Sequence, residues 1–265
     1  MTTDTTTGMR VRPTALAGLG VFLLYLALIV LVQSTSGVDY DDLAASSQNI
    51  WRFGILSLGV GALAVTALTV WFGWWRAATV ETVRSRKRWT LVAPAIYLAV
   101  ALGNLVVTDW GALEIGFVLS AVVLGVTVGF AEELTTRGTL LVGLRGTMRE
   151  IAVWATTCVL FGAMHGLNIV FGAEVGSTLQ QVVVAGMQGS AFYVLRRVLG
   201  RLAWAMALHG LWDFSIFTQS AAPGGDNVLG LLVLPTALLS VVAGFVVARD
   251  AGRRSAGEPH EAAKP

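Results

Sequence analysis

Six ionisable residues interrupt otherwise apolar stretches of this chain: Glu132, Glu133, Arg137, His165, His209 and Asp213. In hydrocarbon each charge costs roughly 2.5–3.5 kcal/mol on insertion scales, so each needs a partner or a chemical task. Glu133 and Arg137 are four residues apart, which on a helix makes them a pair on one face, while Glu132 points about 100° away. His209 and Asp213 have the same spacing, so the aspartate can orient the imidazole or join it around one ligand. Taken alone, an intramembrane histidine such as His165 more often joins helices by hydrogen bonding. Two glutamates, two histidines and an aspartate exceed what packing requires, because each carries a desolvation cost.

A carboxylate beside an imidazole can take a proton from water, which permits hydrolysis. A second histidine opposite can donate to a developing oxyanion. Alternatively, Glu132, His165, His209 and Asp213 can hold Zn²⁺ with an open water position. The HExxH spacing of zinc proteases does not occur, so a metal would draw its ligands from three separate helices.

The elements that must position these residues read as membrane spans. Of 265 residues, 55% are hydrophobic and only 13% charged, against about 25% charged in soluble domains. Apolar runs over residues 14–33, 53–75, 89–107, 151–171, 177–195, 202–217 and 228–248 each suit one crossing. A longer run, 112–145, contains the glutamate pair and must tilt, bend or break, with Gly138 the natural breaking point. Counting at about 1.5 Å per residue from the basic ends puts Glu132 and His165 near 20 Å and His209 and Asp213 near 12–18 Å, so three helices can bring them to one level. The fold expected is all-α and polytopic, with about eight transmembrane helices.

Loops alternate in charge. Arg52 alone falls with the acidic loops, and every other basic residue outside the spans falls with the termini, so the positive-inside rule places both termini in the cytoplasm. That explains the net charge of +2 without nucleic acid, which is not an expected partner. The domain organisation expected is a cytoplasmic tail over 1–13, one transmembrane domain over 14–249 and a disordered cytoplasmic tail over 250–265, where His260 is inert. Trp71, Trp74 and Trp75 suit an interfacial aromatic belt. Cys158 is the single cysteine, which excludes an internal disulfide. Gly125 with Gly129, and Gly186 with Ser190, suit close helix packing, and Asn104, Asn168 and the glutamines suit hydrogen bonding between helices.

Three motifs on successive core spans, Glu132-Glu133-Leu-Thr-Thr-Arg137, Phe161-Gly-Ala-Met-His165 and His209-Gly-Leu-Trp-Asp213, carry a resemblance. Over about residues 129–214 the chain resembles the CPBP family of intramembrane proteases, the CAAX prenyl endopeptidases and bacteriocin-processing enzymes, also called Ras-converting-enzyme-like or abortive-infection proteins. The resemblance implies an eight-span fold and an endopeptidase of the cell membrane acting on a membrane-associated, in some branches lipidated, peptide or protein. It implies that Glu132 and His165 activate water, that His209 and Asp213 stabilise the oxyanion, and that Glu133 and Arg137 support the site. Both a zinc-dependent and a metal-independent glutamate mechanism are consistent with it. Thr135 and Thr136 stand where many members have aromatic residues, and Asp213 takes the place of a frequent Asn. An ionised aspartate cannot donate to an oxyanion, so Asp213 is the more suited to orienting His209 or ligating metal. The site is expected to open to the cytoplasmic half of the bilayer. The rival functions are a non-catalytic immunity or scaffold protein of this fold and a proton-coupled transporter using the same residues as a relay.

Overall fold

A computed structural model describes residues 8–257, so the expected tails at 1–7 and 258–265, His260 included, lie outside the described residues. Eight long helices follow in order: α1 Ala15–Ser34, α2 Ser47–Trp71, α3 Arg88–Val106, α4 Ile115–Arg145, α5 Glu150–Phe171, α6 Val175–Leu199, α7 Ala203–Ala221 and α8 Val228–Ser255. Two isolated bridges, Val80 with Arg201 and Thr108 with Pro223, are the only extended pairings among the described residues.

Six of the eight are long and apolar enough to cross a membrane; α6 and α7 are not. These two carry Gln180, Gln181, Gln188, His209 and Asp213, polar groups that lower their hydropathy and all of which, except the exposed Gln180, the bundle uses internally. Large apolar side chains cover the outside of the bundle, with Leu16, Val106 and Leu231 each 83% exposed. Such an exterior is matched by lipid tails, and the chain is a multi-pass membrane protein.

Local chemistry sets the helix ends. The Thr14 hydroxyl accepts from the Ala17 amide at 3.2 Å to start α1, and the Glu174 carboxylate accepts from Gly176 and Ser177 to start α6. Gly200 ends α6 at φ +84°, in the left-handed region where a side chain is strained. Of the tilt, bend or break expected in α4, a break at Gly138 does not occur. The helix stays continuous and widens to π-helical bonding over Leu134–Leu140, with every residue from 133 to 144 buried. Its 31 residues exceed the roughly 30 Å hydrocarbon core, and the surplus lies inside protein against the start of α1.

Helices α4 and α7 approach closely through glycines. A methyl group on Gly125 would sit 2.6 Å from the Gly210 carbonyl, and one on Gly129 would strike the Met206 carbonyl. Gly129→Ala is therefore expected to cost about 1–3 kcal/mol, read as a lower melting midpoint in detergent.

Three expectations are corrected by packing. Trp74 is fully buried rather than interfacial, its indole donating to the Val11 carbonyl at 2.7 Å, while Trp71 and Trp75 remain exposed. Helix α8 continues to Ser255, six residues into the expected tail, because Asp250 accepts from the Ser85 hydroxyl and the Arg86 amide and pairs with Arg254. Arg145, Arg196 and Arg197 also do more than mark an orientation. Glu81 pairs with Arg197 at 2.6 Å and Arg145 at 2.9 Å, and lies 3.4 Å from Arg196; Glu150 takes a two-pronged contact from Arg145 and the Tyr193 hydroxyl.

Burial alone would raise the Glu81 carboxyl, but these three arginines overcome it and hold the group at about 2, against an ordinary 4.5. A carboxyl lowered on folding adds stability that is complete above pH 4.5 and is lost as pH falls toward 2. Thermal melts of the purified protein are expected to weaken across that window, and Glu81→Gln to flatten the dependence while lowering the midpoint at neutral pH.

Candidate active site

Helices α4, α5 and α7 bring the six polar residues into one cluster. Glu133 lies at its sealed end, with no exposed side-chain surface, and its Oε1 accepts from Arg137 Nη1 at 2.7 Å and from His209 Nδ1 at 3.1 Å. The expected pairing of Glu133 with Arg137 is present, and the same oxygen also fixes an imidazole on a different helix. Arg137 spreads its guanidinium over the Phe161 ring, 3.9 Å from the centroid, so an aromatic face covers the charge on that side.

His209 is held on three sides. Phe192 stacks on the imidazole at 4.8 Å with a 16° tilt, Phe161 meets it edge-on at 5.5 Å, and Glu133 takes Nδ1. That leaves Nε2 between two carboxylates, 3.7 Å from Asp213 Oδ2 and 3.9 Å from Glu132 Oε2. The orienting partner of His209 is thus Glu133, and Asp213 stands at the other nitrogen.

His165 places Nδ1 at 2.8 Å from the Phe161 carbonyl. A carbonyl only accepts, so Nδ1 carries the proton and the neutral ring keeps a lone pair on Nε2. His165 and Glu132 line the same cavity, of about 230 Å³, together with Asp213. No direct hydrogen bond joins His165 to Glu132, and Oε2 of each glutamate lacks a hydrogen-bond partner, so exposure is what separates the pair. The two glutamates are therefore unequal: Glu132 retains 15% side-chain exposure and Glu133 none.

The cavity extends from Glu132 toward one end of the bundle. Its walls there include Gln33, Tyr40, Leu43, Asn168, Gln181 and Phe217. Asn168 donates to Gln181 at 3.1 Å and Gln181 to the Tyr40 hydroxyl at 3.4 Å, so the expected helix-joining amides also wall the cavity. Tyr40 lies outside the spans, and burial raises its hydroxyl above the ordinary value although the Gln181 bond opposes this. Among the described residues, no three or more His, Cys, Asp or Glu side chains group as a metal site. Glu133 takes Nδ1 of His209 and the Phe161 carbonyl takes Nδ1 of His165, which leaves Nε2 of each imidazole as the atom that could act as base, donor or metal ligand.

One family model matches residues 114–215, under the description Type II CAAX prenyl endopeptidase Rce1-like. This segment is Rce1-like. It runs from the start of α4 through most of α7 and contains all three motifs, in agreement with the resemblance to the CPBP family. The family is one of proteases, which supports a hydrolase embedded in the bilayer and acting on a membrane-associated protein. No curated protein and no solved structure matches the chain. The Rce1-like segment includes Phe192, which no motif singled out; an aromatic residue on a neighbouring span is too common a feature to mark a histidine's stacking partner. Tyr40 lies outside the segment, in a loop whose sequence points only to solvent.

Proposed function

We propose that this chain is an intramembrane endopeptidase of the cytoplasmic membrane that hydrolyses a peptide bond through water activated by Glu132 and His165. The observation that carries the reading is the asymmetry of the glutamate pair. Glu132 keeps 15% of its side chain exposed and lines a cavity shared with His165, while Glu133 has no exposed side-chain surface and holds Arg137 and His209.

In the step proposed, water in the cavity gives a proton to Glu132 while its oxygen attacks the scissile carbonyl carbon. The His165 Nε2 lone pair accepts the second water hydrogen and fixes the direction of attack. His209, protonated at both nitrogens, donates from Nε2 to the oxyanion that forms, its Nδ1 proton remaining on Glu133. Asp213, which cannot donate when ionised, stands on the cationic imidazole and favours that state. Collapse of the tetrahedral intermediate breaks the C–N bond, and the proton held by Glu132 passes to the leaving amine.

Peptide-library cleavage by the purified protein tests the reading. Activity is expected to persist in a chelator and to vanish in His165→Ala protein that still melts normally. Chelator inactivation reversed by zinc would overturn the metal-free mechanism. Cleavage unchanged in His165→Ala would overturn the site.

A further inference from the structure

We infer that the peptide reaches this site from the extracytoplasmic side of the membrane, through an entrance framed by Tyr40, Asn168 and Gln181. The inference rests on the peptidase reading for the identity of what enters, but the access route is a property of the fold. Two independent observations set it.

The first is which end of the cluster is closed. Behind Glu132 the chain from 133 to 144 is entirely buried. The Arg196 side chain then plugs the bundle by donating to the carbonyls of Ala77, Ala78 and Arg137, with Glu81 beside it. Phe161 and Phe192 fill the space around Arg137 and His209. In the opposite direction the cavity has room. Gln33 at the end of α1, Tyr40 in the following loop, Asn168 at the end of α5 and Gln181 in the second turn of α6 all wall it.

The second is charge. The closed end carries Arg76, Arg84, Arg145, Arg149, Arg249 and Arg253. The open end carries Asp39, Asp41, Asp42, Asp109, Glu114 and Glu174, with Arg52 beside Gly37 as its one basic residue outside the clusters of the other face. A basic excess marks the cytoplasmic face, so the closed end is cytoplasmic and the cavity faces outward. On this inference the cavity opens on the side opposite to the cytoplasmic one expected from sequence.

The wall chemistry fits a peptide strand. Two amides and a phenol offer both donors and acceptors, as an extended backbone requires. Deeper in, Leu26, Ile29, Leu124, Val128 and Met164 are apolar. A cavity of about 230 Å³ is below the roughly 300–1,000 Å³ of drug-sized ligand sites and suits a short stretch of chain with one apolar side chain at its base. The substrate class is thus an extracytoplasmic segment next to a membrane anchor.

Thiol labelling in intact cells tests the route without using cleavage. Cys158, the native thiol, is buried and supplies a low background. Full-length variants with Gln33→Cys or Ile216→Cys in the cavity wall, and with Arg149→Cys on the closed end, would be treated with a membrane-impermeant maleimide. The cavity cysteines are expected to label in intact cells and Arg149→Cys only after permeabilisation. Labelling of Arg149→Cys in intact cells, with the cavity cysteines silent, would overturn the inference. Two cavity positions guard against one variant failing to fold. If the cavity labels from outside while peptide cleavage is never found, the route stands and the peptidase reading fails; cleavage with inward labelling has the opposite meaning.

Discussion

Glu132→Gln is expected to leave a folded protein whose peptide hydrolysis falls by roughly 10²–10⁴-fold, the range that a positioned general base contributes. The substitution keeps shape and volume while removing the ability to take a proton. Glu132 Oε2 makes no hydrogen bond and stands 3.9 Å from His209 Nε2, so the substitution removes one long ion pair and no hydrogen bond. The loss of stability read from the melt should stay within about 1 kcal/mol, the worth of one long ion pair. Cleavage assays and detergent melts on one preparation decide it. Retained cleavage, or a collapsed midpoint, would move the base elsewhere.

Arg137→Met is expected to do the reverse to stability. Both partners of the Glu133–Arg137 pair are fully buried at 2.7 Å, so removing the guanidinium leaves an uncompensated carboxylate inside the bundle. Breaking such a pair costs about 3–5 kcal/mol. Replacing both, as Glu133→Leu with Arg137→Met, is expected to recover much of that stability, because two apolar side chains carry no desolvation cost. Cleavage should remain lost in the double variant, since His209 no longer has an acceptor at Nδ1. A double variant that regains both stability and activity would confine Glu133 to a packing role.

The pairing of Glu133 with Arg137 was legible in sequence because helical spacing alone brings residues four apart together. The eight long helices were legible for a similar reason, since each apolar run is long enough to declare itself. Membrane-crossing capacity was less so, because α6 and α7 spend their composition on internal polar contacts. What spacing cannot encode is contact between distant segments. Glu133 meets His209 across 76 residues, and Arg196 meets Glu81 across 115. Read singly, those arginines looked like loop charges, and only packing shows that they close one end of the bundle. The depth count placed Glu132 and His165 about 20 Å from the basic ends, but the direction of the opening depended on side chains from α1, α5, α6 and the loop at Tyr40.

The widened stretch of α4 at Leu134–Leu140 separates two jobs on one rod. A π-helical turn accommodates about one extra residue, which sets everything after it roughly 100° out of phase with an uninterrupted α-helix. Upstream, Glu132 and Glu133 keep the angular setting that the water and His209 demand; downstream, Arg145 turns to clasp Glu81 and Glu150. The surplus residue works as a phase adjuster, letting the reactive segment and the anchoring segment of a single helix be aimed independently.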